Sequence, residues 1–177
     1  IPHQSRSFTM KARTIYTLAM SVALLGFYGT ANGATRIQKS FGTWQVDCNE
    51  TEKQKQCVLV SGLINKKKVL VFAWSVSPAK SGAGNRVTIR VPTGVALADG
   101  VSVQFPGAEA AKINYLTCGP RNCISEIELS DPWVKALSTQ PSMTVSYASA
   151  AGKPLKHEVN LKQFKEAYAF YTEQTAK

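Results

Sequence analysis

Four cysteines are the residues best suited to chemistry in this 177-residue chain. Cysteines bind zinc, act as redox centres or form structural disulfides, and all three uses tolerate short spacings. The gaps between the four cysteines are unequal, and no two cysteines are separated by two residues, which is the spacing of both C-x-x-C redox pairs and zinc ribbons. The compartment in which the chain folds therefore decides how the cysteines are used. They are Cys48, Cys57, Cys118 and Cys123.

The N-terminal residues indicate export from the cytoplasm. Two basic residues precede an uncharged, mostly apolar run at 15–29, and small and polar residues follow it, which is the layout of a secretory signal peptide. The run is shorter than the roughly 20 residues that a membrane-spanning helix needs. We therefore predict a leader over residues 1–33, with the signal peptide at 10–33, and a single domain over 34–177.

An even number of cysteines in an exported chain favours disulfides. Each neighbouring pair brackets a short polar turn between strand-like runs, so we predict the bridges Cys48–Cys57 and Cys118–Cys123. Each bridge should contribute about 2 to 3 kcal/mol to stability. Zinc bound by the four cysteines is the alternative. No other metal site and no cofactor is predicted.

Glu126 and Glu128 form the one carboxylate pair whose spacing could support catalysis. Residues i and i+2 of a strand lie on one face, roughly 7 Å apart, and this separation is compatible with inverting glycoside hydrolysis. The plainer interpretation is a solvated strand surface that faces nearby lysines. The sequence leaves both interpretations open, and we favour the second.

His157 is the one histidine of residues 34–177. It shares strand parity with Leu155 and Val159, so we expect it on the apolar side of a strand, as a hydrogen-bonded core or edge residue. A Ser-His-Asp triad would have to use His157, but the sequence has no G-x-S-x-G elbow. We predict no catalytic residue.

Basic side chains are the remaining candidates for binding. Residues 34–177 carry 18 Lys and Arg against 11 Asp and Glu, which suits an anionic partner such as envelope polysaccharide, lipid headgroups or a host-cell surface. Nucleic acid is not expected outside the cytoplasm. A solvated hairpin tip is the alternative for the lysine run at 66–68. The aromatic Trp133 is a further candidate, with core packing as its alternative. The candidate binding residues are Lys66, Lys67, Lys68, Arg86, Arg90 and Trp133.

Short apolar runs separated by turn signals predict an all-β fold, an antiparallel sandwich. The clearest alternation is at 86–91, with Val87, Ile89 and Val91 facing inward. Residues 69–76 are apolar at both parities, which predicts a central strand covered on both faces.

Two helices should accompany the strands. Pro132 follows Ser130 and Asp131, a pattern typical of a helix start, so we predict a short helix near 131–138. We expect Asn160 to cap a C-terminal helix, with Gln163 at its third position. The apolar stripe of that helix could cover the strand at 69–76.

The order of these segments resembles the invasion-associated locus B proteins of alphaproteobacteria, from Phe41 to Tyr171. The most specific parts are V-P-x-G-V-x-L-x-x-G-V at 91–101, T-C-x4-C at 117–123 and L-x-x-F-x-x-A-Y at 161–168. The resemblance implies an exported, immunoglobulin-like β-sandwich of the bacterial envelope, in a family named for a member linked to entry into host cells. It implies no catalytic residue set.

Together these observations predict a non-enzymatic exported protein of the periplasm or outer-membrane surface, or one released from the cell. Its expected partner is an envelope or host-surface macromolecule, and a peripheral membrane contact is a further candidate. The alternatives are a small glycan hydrolase using Glu126 and Glu128, or a periplasmic accessory or chaperone-like protein that binds another protein through a sheet edge.

Overall fold

A computed structural model of the chain describes residues 35–176. The leader and signal peptide predicted at 1–33 lie outside the described residues. Residues 35–176 form two antiparallel sheets and two α-helices. The predicted immunoglobulin-like antiparallel β-sandwich is therefore confirmed.

The larger sheet has seven strands. They are β1 (Thr35–Phe41), β2 (Trp44–Glu50), β3 (Lys55–Ile64), β4 (Leu70–Pro78), β5 (Asn85–Pro92), β8 (Thr117–Cys118) and β9 (Asn122–Glu128). Their spatial order is β1-β2-β3-β4-β5-β9-β8, so the five N-terminal strands form a meander and β8 and β9 extend it.

The smaller sheet has four strands. They are β6 (Val101–Gln104), β7 (Ala111–Ile113), β10 (Ser142–Ala148) and β11 (Pro154–Asn160), in the spatial order β11-β10-β6-β7. Its inward side chains pack against the central part of the larger sheet. Tyr147 of β10, for example, donates a hydrogen bond from its hydroxyl to the carbonyl oxygen of Val71 in β4, at 2.9 Å.

The period-2 patterns account for the core. Trp44 and Val46 of β2 are fully buried, as are Val87 and Val91 of β5, and Ile89 is nearly so. Alternate side chains of a strand point to opposite faces, so these residues line the inner face of the larger sheet. The inward positions predicted for 86–91 are confirmed.

Two helices fill the space that the narrower sheet leaves open. Helix α1 (Asp131–Thr139) begins after the N-cap residue Ser130, as predicted. Helix α2 (Phe164–Thr175) packs on β2 and β3, where the ring of Phe164 meets the ring of Trp44 edge-on at a centroid distance of 4.9 Å. In the described residues, neither helix combines the length and the apolar character that a membrane span requires.

The predicted start of the C-terminal helix is wrong. Helix α2 begins at Phe164, and its N-cap is Gln163 in the left-handed conformation, with φ of 68°. Asn160 remains in β11, where it pairs with Ser142 and its carbonyl oxygen accepts a hydrogen bond from Nε1 of Trp44. Strand pairing and this contact keep Asn160 extended. Its side-chain oxygen still accepts a hydrogen bond from the backbone N–H of Lys162, at 2.8 Å, but this bond closes a turn before the helix and does not cap it.

The expected cover over β4 is also wrong. Helix α2 lies on β2 and β3, on the inner side of the larger sheet. Phe72 and Trp74 of β4 face inward and are buried, whereas Val71 and Ala73 on the outer face are partly exposed. Strand β4 is thus central in its sheet, but only its inner face is fully covered.

Candidate functional site

The four cysteines form the two predicted disulfides, Cys48–Cys57 and Cys118–Cys123. Each bridge joins residues that face one another across an antiparallel pair, β2 with β3 and β8 with β9. Because every cysteine is paired, none is available as a thiolate ligand, and the alternative of zinc bound by the four cysteines is excluded. Two disulfides are typical of proteins outside the cytoplasm.

The lysine run forms the tip of the β3–β4 hairpin. Lys66, Lys67 and Lys68 are all exposed. The Asn65 side-chain oxygen accepts hydrogen bonds from the backbone N–H groups of Lys67, at 2.9 Å, and Val69, at 3.0 Å. The backbone N–H of Lys68 donates to the carbonyl oxygen of Asn65, which closes the turn. The turn is therefore closed and stabilised by its own hydrogen bonds.

Lys68 occupies a position that normally favours glycine. Its φ is 59°, in the left-handed region, and the other non-glycine residue with a positive φ in the described chain is Gln163. For a residue with a Cβ this conformation costs about 1 to 2 kcal/mol. The tip thus keeps a lysine where glycine would be the less strained choice.

Strand order brings three further loops to the same end of the sandwich as this tip. Strand β9 begins at Asn122, opposite Pro92 at the end of β5, and a bridge joins Val95 to Ser149. The disulfide Cys118–Cys123 closes the turn between β8 and β9. We call this region the cationic end, and it comprises residues 65–69, 93–100, 119–121 and 149–153.

Charge is segregated between the two ends of the sandwich. The cationic end carries five basic side chains and one acidic side chain, Asp99. The opposite end, residues 51–54, 79–84, 105–110, 129–141 and 161–163, carries four basic and three acidic side chains. All five basic side chains of the cationic end are exposed; they are Lys66, Lys67, Lys68, Arg121 and Lys153.

Apolar side chains accompany the lysines at this end. Among the described residues, five large apolar side chains are exposed, and four of them lie in the cationic end or directly beside it. Ile64 and Val69 flank the lysine turn and are 65% and 53% exposed. The other two are Leu63 and Leu97.

Arg86 and Arg90 do not join this cluster. Both lie on the outer face of the larger sheet and are half-buried. The Nε of Arg86 donates to the hydroxyl of Ser77, and Nη1 of Arg90 donates to the hydroxyl of Ser75, both at 3.2 Å. Some of the guanidinium N–H groups of these two arginines are thus already hydrogen bonded to serines of the same sheet.

The glutamates lie beside Arg86 on the same outer face. Glu126 is 3.7 Å from Nη1 of Arg86 and 3.8 Å from Nζ of Lys80, and it accepts a hydrogen bond from the hydroxyl of Thr88 at 3.4 Å. Glu128 is exposed. An open depression of about 420 Å³ adjoins both glutamates, Lys80 and Arg86. Within it, basic side chains compensate the charge of Glu126.

Trp133 is mainly a packing residue. Its ring lies 5.6 Å from that of Phe105 and 6.2 Å from that of Trp74, between α1 and the two sheets. Its partly exposed edge lines a small depression of about 220 Å³ together with Pro132 and Val103. The alternative of core packing therefore describes Trp133 better than that of a binding contact.

His157 faces the apolar interior, as predicted from its parity. Its ring stacks on Phe72 with 6.1 Å between centroids and lies 5.6 Å from that of Tyr147. Its Nε2 atom is buried and has no hydrogen-bonding partner among the described residues, so the expected hydrogen bond is not found at this nitrogen. Burial lowers the pKa of His157 below its ordinary value of 6.5.

The sequence showed the lysine run, but it did not show Arg121 and Lys153 as part of the same surface. Both residues follow turn signals in the sequence, the Gly-Pro step at 119–120 and Gly152. Only the pairing of β9 with β5 and the bridge from Val95 to Ser149 bring these turns to the lysine tip.

Comparison with known proteins agrees with the resemblance drawn from the motifs. Invasion protein B of Bartonella bacilliformis is 24% identical over 127 residues, which covers 70% of this chain and 67% of that protein. An Invasion protein B homolog of Brucella abortus is 24% identical over 138 residues, covering 75% of this chain and 77% of the homolog.

A solved structure shares the fold. The crystal structure of invasion associated protein b from Bartonella henselae aligns with a TM-score of 0.66 at 24% identity, covering 77% of this chain and 95% of that one. The family model of the Invasion associated locus B (IalB) protein matches residues 44–171. That match spans most of the chain, which therefore belongs to the invasion-associated locus B family.

Proposed function

We propose that this protein is a non-enzymatic exported protein of the bacterial envelope that binds an anionic partner through its cationic end. The partner is an envelope or host-surface macromolecule, met in the periplasm or at the outer-membrane surface. The observation that carries the proposal is the segregation of charge, with five exposed basic side chains and one acidic side chain at one end and nearly balanced charge at the other.

The cationic end is organised before it meets a partner. Asn65 fixes the lysine turn through two hydrogen bonds, and a disulfide closes the turn that carries Arg121. Rigid loops lose less conformational freedom on binding than mobile ones do, so more of the electrostatic attraction contributes to affinity.

The outer face of the larger sheet is a weaker candidate for binding an anion, because its basic side chains lie close to Glu126 or are hydrogen bonded. Glu126 lies close to Arg86 and Lys80, and Arg90 is hydrogen bonded to Ser75. Opposite charges at close range reduce the field that a distant anion would feel. The five basic side chains of the cationic end face one acidic residue, Asp99, so their fields add.

The expected magnitude is measurable. A lysine near an anionic surface contributes about 1 kcal/mol, so the three tip lysines together should contribute about 3 kcal/mol, or roughly 100-fold in affinity. Salt should weaken the interaction strongly, because exposed charges are screened over about 10 Å at 0.1 M ionic strength.

The test is retention on immobilised dextran sulfate at increasing salt. The variant Lys66→Gln/Lys67→Gln/Lys68→Gln should elute at much lower salt than the unmodified protein. The matched control removes the same charge from the opposite end, by changing to glutamine the exposed residues Lys53, Lys80 and Lys135.

The control variant should elute close to the unmodified protein, apart from a small shift for its reduced net charge. Equal shifts for the two triple variants would show that net charge, and not the cationic end, determines binding. Retention that does not change between low and physiological salt would remove the electrostatic basis of the proposal.

A further inference from the structure

We infer that the cationic end docks on the headgroup region of an anionic lipid bilayer. The inference rests on the proposed function and specifies the class of partner. Its basis is the position of Ile64 and Val69, which are 65% and 53% exposed on either side of the lysine turn, with Leu63 exposed beside Ile64 and Leu97 exposed in another loop of the cationic end. Exposed apolar groups rimmed by charge mark protein or membrane contact surfaces.

The hairpin tip matches the layers of a bilayer surface. Lysine has a long apolar stem, so its ammonium group can remain beside lipid phosphates while the stem lies along apolar surface. Ile64 and Val69 lie at the base of the turn, behind the lysines. They would reach the boundary between headgroups and acyl chains when the hairpin lies along the bilayer surface and the lysine side chains extend sideways to lipid phosphates. Basic and apolar side chains on one element are typical of interfacial membrane binding.

Other occupants fit these side chains less well. A soluble polyanion would pair with the lysines and leave Ile64 and Val69 in water, so it gives no reason for their exposure. A second copy of the chain would bring like charges together, because Lys66, Lys67 and Lys68 would face the same residues of its partner. An anionic bilayer would contact both the lysines, through its phosphates, and the apolar side chains, through its acyl chains.

The rest of the end would approach the same plane. Arg121 projects from the turn closed by Cys118–Cys123, and Lys153 lies in the turn after β10. Strand register places both turns at the end of the sandwich that carries the lysine tip. The bilayer would therefore contact the basic side chains of several loops as well as the apolar side chains of Ile64 and Val69.

The test separates lipid from polyanion with two variants of the purified protein. Binding is measured by co-sedimentation with vesicles of phosphatidylcholine containing about one third phosphatidylglycerol, and in parallel on dextran sulfate. The variant Ile64→Thr/Val69→Thr keeps the β-branched shape and all charges. We expect it to bind vesicles about 10- to 30-fold more weakly and to bind dextran sulfate as the unmodified protein does.

The variant Lys66→Gln/Lys67→Gln/Lys68→Gln should lose about 100-fold on vesicles and should also weaken on dextran sulfate. Thermal unfolding of both variants identifies any loss of folded protein. Vesicle binding that is unchanged in Ile64→Thr/Val69→Thr would overturn the lipid inference and leave the proposed function intact.

Two other results also decide between the claims. If the unmodified protein binds dextran sulfate but not anionic vesicles, the lipid inference is wrong and a soluble or polymeric anion is the partner. If the triple-lysine variant binds both probes as well as the unmodified protein, the proposed function itself is wrong.

Discussion

Replacing Lys68 by glycine should stabilise the domain and weaken binding at the same time. The residue has a φ of 59°, which costs a side chain with a Cβ about 1 to 2 kcal/mol. Glycine relieves this strain, but it adds about 0.5 to 1 kcal/mol of conformational entropy to the unfolded chain. The net gain should be about 0.5 to 1 kcal/mol, a rise of roughly 2 to 4 °C in Tm.

The matched control is Lys67→Gly. This change removes the same charge from the same turn, but Lys67 does not have a positive φ. Glycine there adds unfolded-state entropy without relieving strain, so it should destabilise the domain by about 0.5 to 1 kcal/mol. Both variants should bind anionic vesicles roughly 5-fold more weakly, because each loses one lysine.

Urea unfolding and vesicle co-sedimentation measure the two effects separately. Strain at Lys68 should give the two variants stability changes of opposite sign, and the loss of one lysine should give them binding changes of the same sign. If Lys68→Gly is as destabilising as Lys67→Gly, the left-handed backbone at Lys68 carries no strain and the reasoning is refuted. If Lys68→Gly binds vesicles like the unmodified protein, this lysine does not face the membrane.

Two further predictions concern the core and the disulfides. Burial lowers the pKa of His157 in the folded protein below its ordinary value of 6.5. As pH falls, this histidine is therefore protonated in the unfolded chain before it is protonated in the folded one, so the free energy of unfolding should decrease. Unfolding at pH near 7.5 and near 5.5 should show a pH-dependent loss that is smaller in His157→Phe; an equal loss in both would contradict the assignment. Removing Cys48–Cys57 by alanine should cost about 2 to 3 kcal/mol, somewhat more than removing Cys118–Cys123, because its sequence separation is 9 residues rather than 5. Thermal unfolding of the two double variants checks the order, and the reverse order would contradict the loop argument.

Much of the fold was predictable because the main strands alternate between core and surface. The pattern of β2 and β5 is visible in the sequence, with Trp44, Val46, Val87 and Val91 at every second position. Strand β1 gives no such signal, because it is an edge strand whose residues are mostly exposed, and it is specified by its pairing with β2.

The errors have a common physical origin. At Asn160 strand pairing and the hydrogen bond from Trp44 hold the backbone extended, so the side-chain bond to the N–H of Lys162 closes a turn and the helix begins later, at Phe164. The position of α2 depends on the widths of the two sheets, which hydrophobic periodicity does not reveal. In the same way, the lysine run is visible in the sequence, whereas its association with Arg121 and Lys153 depends on strand order.

The most direct test of the central claim is NMR mapping of the backbone amides of the protein, titrated with bicelles that contain phosphatidylglycerol. We predict that the largest chemical-shift changes fall at 65–69, 93–100, 119–121 and 149–153, and that they vanish in bicelles of neutral lipid. Shift changes centred on the outer sheet face around Arg86 and Glu126, or spread evenly over the domain, would contradict it.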